Sequence, residues 1–377
     1  MAPIKVGLIG YGSSVKVFHL PFILPNPDLD VYAFLQRAEA PRDKSNVASG
    51  KHCTVDHPNA KHYRTAKDFF GDAGIELVIV CTGHDSHAEL AEQALQTGKH
   101  VVVEKPFTIT SAEADNLIAL AAKQNKILTC YQNRRYDSDF RTVENYIKQG
   151  VFGRITEFAN HYDVDNPSWI HSAREPGPGD GLLYGLGSHS IDQTLQLFGL
   201  PKSVTAFSRT LLTRSDDSFT IILQYDGEHK DLISTIKTTV VAPIEQAFAL
   251  KYWVRGTKGV FIKVRKSAIA SIEQLIDHGL SSPGIGTGIE PERFHGYLTT
   301  REDIDLKFEK PSSDTGVKFD GKVPSKQGSY LDYYRDVVAA VRGEKEVAVK
   351  PEESRNVIRL IELANESVEK GVTIAWS

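Results

Sequence analysis

Cysteine is scarce in this chain. Its three cysteines, Cys53, Cys81 and Cys130, are too few and too scattered among 377 residues for a disulfide framework. Cys81 and Cys130 end apolar runs and read as small buried residues rather than reactive thiols. Long hydrophobic runs are lacking, and no segment approaches the length of a membrane-spanning helix. Charge of one sign is not in excess either. The net charge is −4 and the pI near 6.4, which leaves no global field to attract nucleic acid or an anionic membrane. The opening residues run directly into a strand, without a signal-peptide apolar core or an arginine-rich leader, so a cytoplasmic protein is expected. Internal repeats and low-complexity tracts are lacking too.

What is present is an ordinary globular composition, 41% hydrophobic and 24% charged, over a length that suggests two domains. Ile4 to Ile9 is a short apolar strand, followed by Gly10-Tyr11-Gly12 and a mostly apolar helical segment from Val15 to Leu24. That order gives a dinucleotide fingerprint weight: Gly10 allows the tight turn, and Gly12 lets backbone approach a pyrophosphate. Val15 takes the place of the third glycine. The second strand, Leu29 to Leu35, ends in Gln36-Arg37, with no acidic residue to accept from a ribose 2′-hydroxyl. The charges that follow are Arg37, Glu39 and Arg42. A guanidinium suits a 2′-phosphate, so NADP(H) is the expected cofactor; a solvated loop arginine is the plainer alternative. His52, Cys53, His57 and His62 are zinc-binding types without ligand spacing, so a polar surface loop and no metal are expected.

Leu77 to Cys81, His100 to Val103 and Ile127 to Cys130 are further short apolar strands. A helix from about His87 stops at Gly98, and Thr110 with Glu113 makes a capping-box pattern that starts another. Strand and helix thus alternate through residues 1–130, which implies a parallel sheet covered on both faces, a Rossmann-type domain. Lys105 stands just beyond a buried valine strand, where ligands sit in an open α/β sheet; a surface lysine is the bland alternative.

From residue 131 the pattern changes. Ile155–Tyr162, Val204–Leu212, Phe219–Tyr225, Leu232–Val241, Phe248–Arg255 and Val260–Val264 are alternating and β-branched. They imply an α+β domain over residues 131–377, built on a large, mostly antiparallel open sheet. Pro311 to Ser329 reads as a long loop, and two amphipathic helices, Tyr330–Arg342 and Glu352–Glu369, precede a short strand, Val372–Trp376. A glycine- and proline-rich stretch from Trp169 to Gly181 leads to a helix with Ile191, Leu195 and Phe198 inward. His189 is expected in its first turn, where the positive helix end disfavours an imidazolium. A neutral imidazole there can take a proton from an alcohol or return one to a carbonyl product; a histidine that only caps or packs is the alternative.

Taken in order, four motifs resemble the Gfo/Idh/MocA oxidoreductases over nearly the whole chain. They are Gly10-Tyr11-Gly12 with Phe18-His19-Leu20-Pro21, Thr82 with His87, Gly98 through Pro106, and Gly179 through Asp192. The stretch Asn133 to Phe140 is similar to an NADP-dependent sugar and inositol dehydrogenase sub-branch. The resemblance implies cofactor contacts at Gly10, Gly12, Ser13, Ser14, Arg37, Thr82, His87, Glu104, Lys105 and Pro106, and often a cis bond between the last two. It implies that Lys105 polarises the reacting oxygen and that His189 is the acid/base. Substrate contacts are implied at Asn133, Tyr162, Asp163, Trp169, Arg174, Tyr184 and His189. Terminal helices that return to the first domain are implied as well, with a homodimer or higher oligomer formed through the second sheet. The expected substrate is a sugar, polyol or related small carbonyl compound. A non-catalytic NADP(H)-binding regulator and a reductase of a secondary-metabolite carbonyl or imine are the alternatives. One position departs from the pattern. The family's aspartate four residues before the histidine is here Gly185, with Asp180 and Asp192 the nearby carboxylates that could stand in.

Overall fold

The computed structural model describes residues 1–171, 175–243, 249–264, 292–304 and 316–376. They fall into two compact units. The first holds Met1–Asn133 and Tyr330–Ile358; the second holds the described residues from Arg134 to Ser329 and from Arg359 onward.

The first unit is built on a six-stranded parallel sheet: β1 (Ile4–Ile9), β2 (Leu29–Leu35), β3 (Lys61–Tyr63), β4 (Leu77–Val80), β5 (His100–Val103) and β6 (Leu128–Cys130). Its spatial order, β3-β2-β1-β4-β5-β6, reverses direction between β1 and β4, as in doubly wound dinucleotide folds. All of β4 and the three valines of β5 are buried, as strands covered on both faces must be. The helix Ser111–Gln124 opens on a complete capping box: Thr110 Oγ1 accepts the Glu113 N–H at 3.2 Å, and the Glu113 carboxylate accepts the Thr110 N–H at 3.0 Å. The helix His87–Gln96 is closed by Gly98 at φ +75°, a conformation that side-chain-bearing residues avoid. The helix Tyr330–Val341 belongs to this unit and sets Tyr330 edge-on to Phe22 at 5.4 Å.

The second unit carries a nine-stranded sheet: β7 (Ile155–His161), β8 (Ser203–Arg209), β9 (Ser218–Gln224), β10 (Ile233–Thr238), β11 (Leu250–Gly256), β12 (Gly259–Val264), β13 (Gly296–Thr300), β14 (Phe319–Val323) and β15 (Ile374–Ala375). The order is β14-β13-β12-β11-β7-β10-β9-β8-β15. Of the described pairs, β7–β10 is parallel and the others are antiparallel. The helix Ser188–Phe198 covers one face, its Phe198 ring 5.0 Å from Phe158. Its Gln193 Oε1 accepts from the Tyr252 hydroxyl at 2.7 Å and from Asn160 Nδ2 at 3.2 Å.

The α/β class with a Rossmann-type first half and a mostly antiparallel second sheet is therefore what the chain adopts. Three strands were not expected. β3 has only three residues. β13 is short, and β14 lies inside the stretch that reads as a loop, because this terminal strand exposes Asp320 and Lys322 around Gly321 and offers no apolar run. Phe248, Arg174 and Pro311 to Thr315 lie outside the described residues. The segment after the glycine turn is not one regular helix. It divides into a wide π turn, Val15–His19, and a short α turn, Leu20–Ile23, with Pro21 in its first turn. Among the described residues no helix is long and apolar enough to cross a membrane.

Candidate active site

In the first unit the carboxyl ends of β1, β2, β4 and β5 carry Gly10, Arg37, Thr82 and Lys105 to one edge of the sheet. The turn after β1 is shaped for backbone, not side chains. Gly10 has φ +100°, and a Cβ there would lie 2.5 Å from the Cys81 carbonyl oxygen. A Cβ at Gly12 would meet nothing within 4 Å, and Ser13 and Ser14 beside it are exposed. An open cradle at a strand-to-helix turn on the switch point of the sheet fits the pyrophosphate of a dinucleotide. Arg37 is exposed at the end of β2, and Arg64, at the end of β3, donates Nε to its carbonyl at 3.3 Å. Arg64 was not foreseen, because a three-residue strand leaves too little pattern to mark its end.

Two expected cofactor contacts turn their side chains inward instead. The His87 ring is fully buried, with Nδ1 2.8 Å from the Pro106 carbonyl and Nε2 3.3 Å from that of Thr82. Burial lowers its basicity, which favours a neutral ring whose single N–H is best placed to donate to the nearer carbonyl, that of Pro106. The Glu104 carboxylate is also buried; Oε1 lies 3.2 Å from His19 Nε2, and Oε2 accepts the Lys105 N–H at 2.7 Å. Lys105 itself is half-buried, and its bond to Pro106 is cis.

His52, Cys53 and His62 do not form a polar surface loop. Their ligand-type atoms lie within 4.8 Å of one another, with His52 and Cys53 buried. The imidazoles serve backbone: His52 Nδ1 accepts the Thr54 N–H at 3.2 Å, and His62 Nε2 lies 2.9 Å from the Gln36 carbonyl. Burial pushes the Cys53 thiol up to about 11, which disfavours the thiolate a metal needs.

In the second unit His189 is buried and stacks at 6.5 Å on Tyr162, over which the Arg134 guanidinium sits at 4.7 Å. His189 does not occupy a free helix start. The chain is already helical from Leu183, with a π turn, Leu183–Gly187, running into Ser188–Phe198, so the dipole argument for a neutral ring loses its ground. Tyr184 and Gly185 lie in that π turn, half-buried. A Cβ at Gly185 would meet only Leu182 Cδ2, at 3.7 Å, so packing does not require glycine there. Asp163 braces a strand end, accepting the Thr239 N–H at 3.0 Å, and Trp169 is exposed on the turn Ser168–Ile170. Asn133, the last residue of the first unit's opening segment, is buried. Of the two candidate stand-ins for the missing aspartate, Asp180 accepts the Gly177 N–H at 2.6 Å. Asp192 gives both oxygens to Arg135, at 2.8 and 2.5 Å.

Asp216 is a further group that the sequence did not mark. Its carboxylate accepts the Leu183 N–H at 2.7 Å and its carbonyl accepts the Leu182 N–H at 2.8 Å, so it caps the helical run that carries His189. Burial raises its carboxyl to about 6 from 3.8. The folded state then holds the proton more tightly than the unfolded chain. The resulting stabilisation is complete below pH 3.8 and is lost as pH rises through about 6. Asp216→Asn, which keeps the acceptor, is expected to gain on the order of 2 kcal/mol near pH 8. Thermal unfolding compared at pH 8 and at the lowest pH the fold tolerates checks this: the gain should shrink at the acidic end. An equal gain at both would refute it.

Comparison with known proteins agrees with this geometry. Residues 4–132 match the model described as the oxidoreductase family, NAD-binding Rossmann fold, and residues 140–262 match the GFO/IDH/MocA C-terminal domain. An uncharacterized oxidoreductase of Schizosaccharomyces pombe is 34% identical over 100% of both chains. The scyllo-inositol 2-dehydrogenase (NADP(+)) IolW of Bacillus subtilis is 34% identical, over 98% of this chain and 95% of its own. The solved structure of yvaA from Bacillus subtilis superposes with a TM-score of 0.83 at 32% identity, over 100% of this chain and 99% of that one. Matched in both halves and along its full length by such relatives, the chain belongs to the Gfo/Idh/MocA family of oxidoreductases.

Proposed function

We propose that the protein is an NADP(H)-dependent dehydrogenase or reductase acting on a sugar, polyol or related small carbonyl compound. The observation that carries this is the set of groups beyond the parallel strands: a side-chain-free cradle at Gly10 and Gly12, two guanidinium-bearing residues at Arg37 and Arg64, and Lys105 at the end of β5. Gly10, Gly12, Ser13 and Ser14 would hold the pyrophosphate on backbone N–H groups and hydroxyls, with Thr82, Lys105 and Pro106 nearer the nicotinamide end. Arg37, with Arg64 beside it, would favour a 2′-phosphate through charge-assisted bonds. A bound nicotinamide dinucleotide supplies or accepts hydride, which no side chain can do. Lys105 donates a hydrogen bond from Nζ to the reacting oxygen and stabilises the charge that develops on it. His189 carries the proton at its ring nitrogen, taking it from an alcohol or returning it to a carbonyl product. The similarity to an inositol dehydrogenase named for NADP(+) supports the substrate class and the cofactor. A second copy of the chain covering the open sheet, which exposes Phe207, Ile233 and Tyr297, is proposed as the oligomer.

Gly185 favours a second reading, an NADP(H)-binding regulator without turnover, since the side-chain space there is open. A panel of inositols, sugars and small carbonyl compounds, each with NADP(H) and NAD(H), separates the two. Turnover of at least one panel member, with kcat/KM about tenfold or more higher for the phosphorylated cofactor, is expected. Tight NADPH binding with silence across the panel would instead establish the regulator.

A further inference from the structure

The first unit holds a buried polar chain, from Tyr334 through His19 to Glu104, that the proposed chemistry leaves unused. Tyr334, from the helix Tyr330–Val341, places its hydroxyl 2.6 Å from His19 Nδ1. His19, 0% exposed, places Nε2 3.2 Å from Glu104 Oε1, and the other Glu104 oxygen accepts the Lys105 N–H at 2.7 Å. The groups stand at positions 334, 19, 104 and 105 of the sequence, yet in space they form one hydrogen-bonded chain ending at the Lys105 backbone.

The protons along this line follow from the partners. Burial pushes the Glu104 carboxyl up, but the hydrogen bond from His19 and the nearby Lys105 ammonium hold it below its usual value. An ionised carboxylate only accepts, so His19 Nε2 carries a proton. Tyr334, pushed well up by burial, keeps its own proton and can donate to Nδ1. Cys81 lies close by, its thiol driven well up by burial. The walls are aromatic: Tyr131 lies 4.3 Å from the His19 ring and Tyr333 4.7 Å from Tyr131.

We propose that Tyr334, His19 and Glu104 are positioning residues, a relay through which the helix Tyr330–Val341 fixes the Lys105 backbone and keeps a carboxylate behind its ammonium. The proposal rests on the role given to Lys105 above. A buried ion held by two hydrogen bonds cannot turn without stranding a donor, so the carboxylate, and the amide it accepts, are locked together. A displacement of about 1 Å in a group that touches the reacting oxygen can cost about 10²-fold in rate, so the relay acts on turnover and not on cofactor affinity.

The test uses the full chain and four variants, Glu104→Gln, Tyr334→Phe, His19→Ala and His19→Gln. Three measurements are made: kcat, NADPH affinity by fluorescence, and the rate at which an amine reagent labels Lys105 at mildly alkaline pH, mapped by mass spectrometry. Glu104→Gln and His19→Ala are expected to lower kcat by about 10- to 100-fold and Tyr334→Phe by about 3- to 10-fold, with the NADPH Kd within about threefold. His19→Gln, which can still donate to Glu104, should retain more activity than His19→Ala. Lys105 labelling should accelerate about threefold or more in Glu104→Gln, because the carboxylate that fastens the Lys105 amide is weakened as an acceptor and the side chain is held less firmly. Unchanged kcat and labelling in Glu104→Gln and Tyr334→Phe would overturn the proposal, as would a fall in thermal stability alone. If Glu104→Gln does not fold, Tyr334→Phe, which removes one hydroxyl, decides by kcat and labelling. If the wild-type protein turns over no substrate, the functional reading fails and the labelling rates alone judge the relay.

Discussion

Replacing Lys105 by alanine is expected to lower kcat by about 10²–10³-fold while NADPH affinity changes by less than about threefold. The separation follows from how the residue is held. Its backbone is fixed from two sides, by the Glu104 carboxylate on its N–H and by His87 on the Pro106 carbonyl, so truncation leaves the loop in place. What disappears is one half-buried ammonium just beyond a buried strand, the group that the proposed mechanism sets against the substrate oxygen. A donor of this type is strongest against developing negative charge, so it acts on the transition state more than on binding. Steady-state kinetics on a substrate from the panel, with a fluorescence titration of NADPH, measures both quantities. Undiminished turnover would remove Lys105 from the mechanism.

Asp192→Ala is expected to cost roughly 3–5 kcal/mol of stability, the largest structural effect of any single change considered. The Asp192 and Arg135 side chains are 2% and 10% exposed, and they meet through two hydrogen bonds. Removing the carboxylate leaves a guanidinium with little access to water, and that residual charge, more than the lost contact, sets the cost. Denaturant unfolding checks the number. The double variant Arg135→Met with Asp192→Leu should recover much of the loss, since it removes both charges together. This bears on Gly185. If Asp192 stood in for the missing aspartate, Asp192→Asn would depress kcat as strongly as Lys105→Ala with unfolding barely changed. With both oxygens committed to Arg135, loss of stability is the expected dominant effect.

Much of the architecture was legible along the chain because its causes are local. Short apolar runs of β-branched residues read as strands buried on both faces, and the Thr110–Glu113 box and the left-handed Gly98 mark helix ends within a few residues of themselves. Gly10 and Lys105 could be located as candidate ligand positions for the same reason, since a strand end in a doubly wound sheet is a place as well as a local pattern. β14 escaped because an outer strand with one polar face has no such pattern.

The sequence by itself thus determined the fold class, the family motifs and the stretches proposed to bear the chemistry, all of which arise from neighbours in the chain. Only the tertiary structure decided what holds them. His19 was visible as part of a motif, but its partners lie 85 and 315 residues away. Asp192 could be paired with His189 by helical spacing, yet its carboxylate is engaged by Arg135, 57 residues earlier. Asp216 caps a turn 33 residues before it. Hydrogen bonds and ion pairs between distant segments leave no periodicity in a sequence, because nothing in the spacing of residues records which two of them burial will bring together.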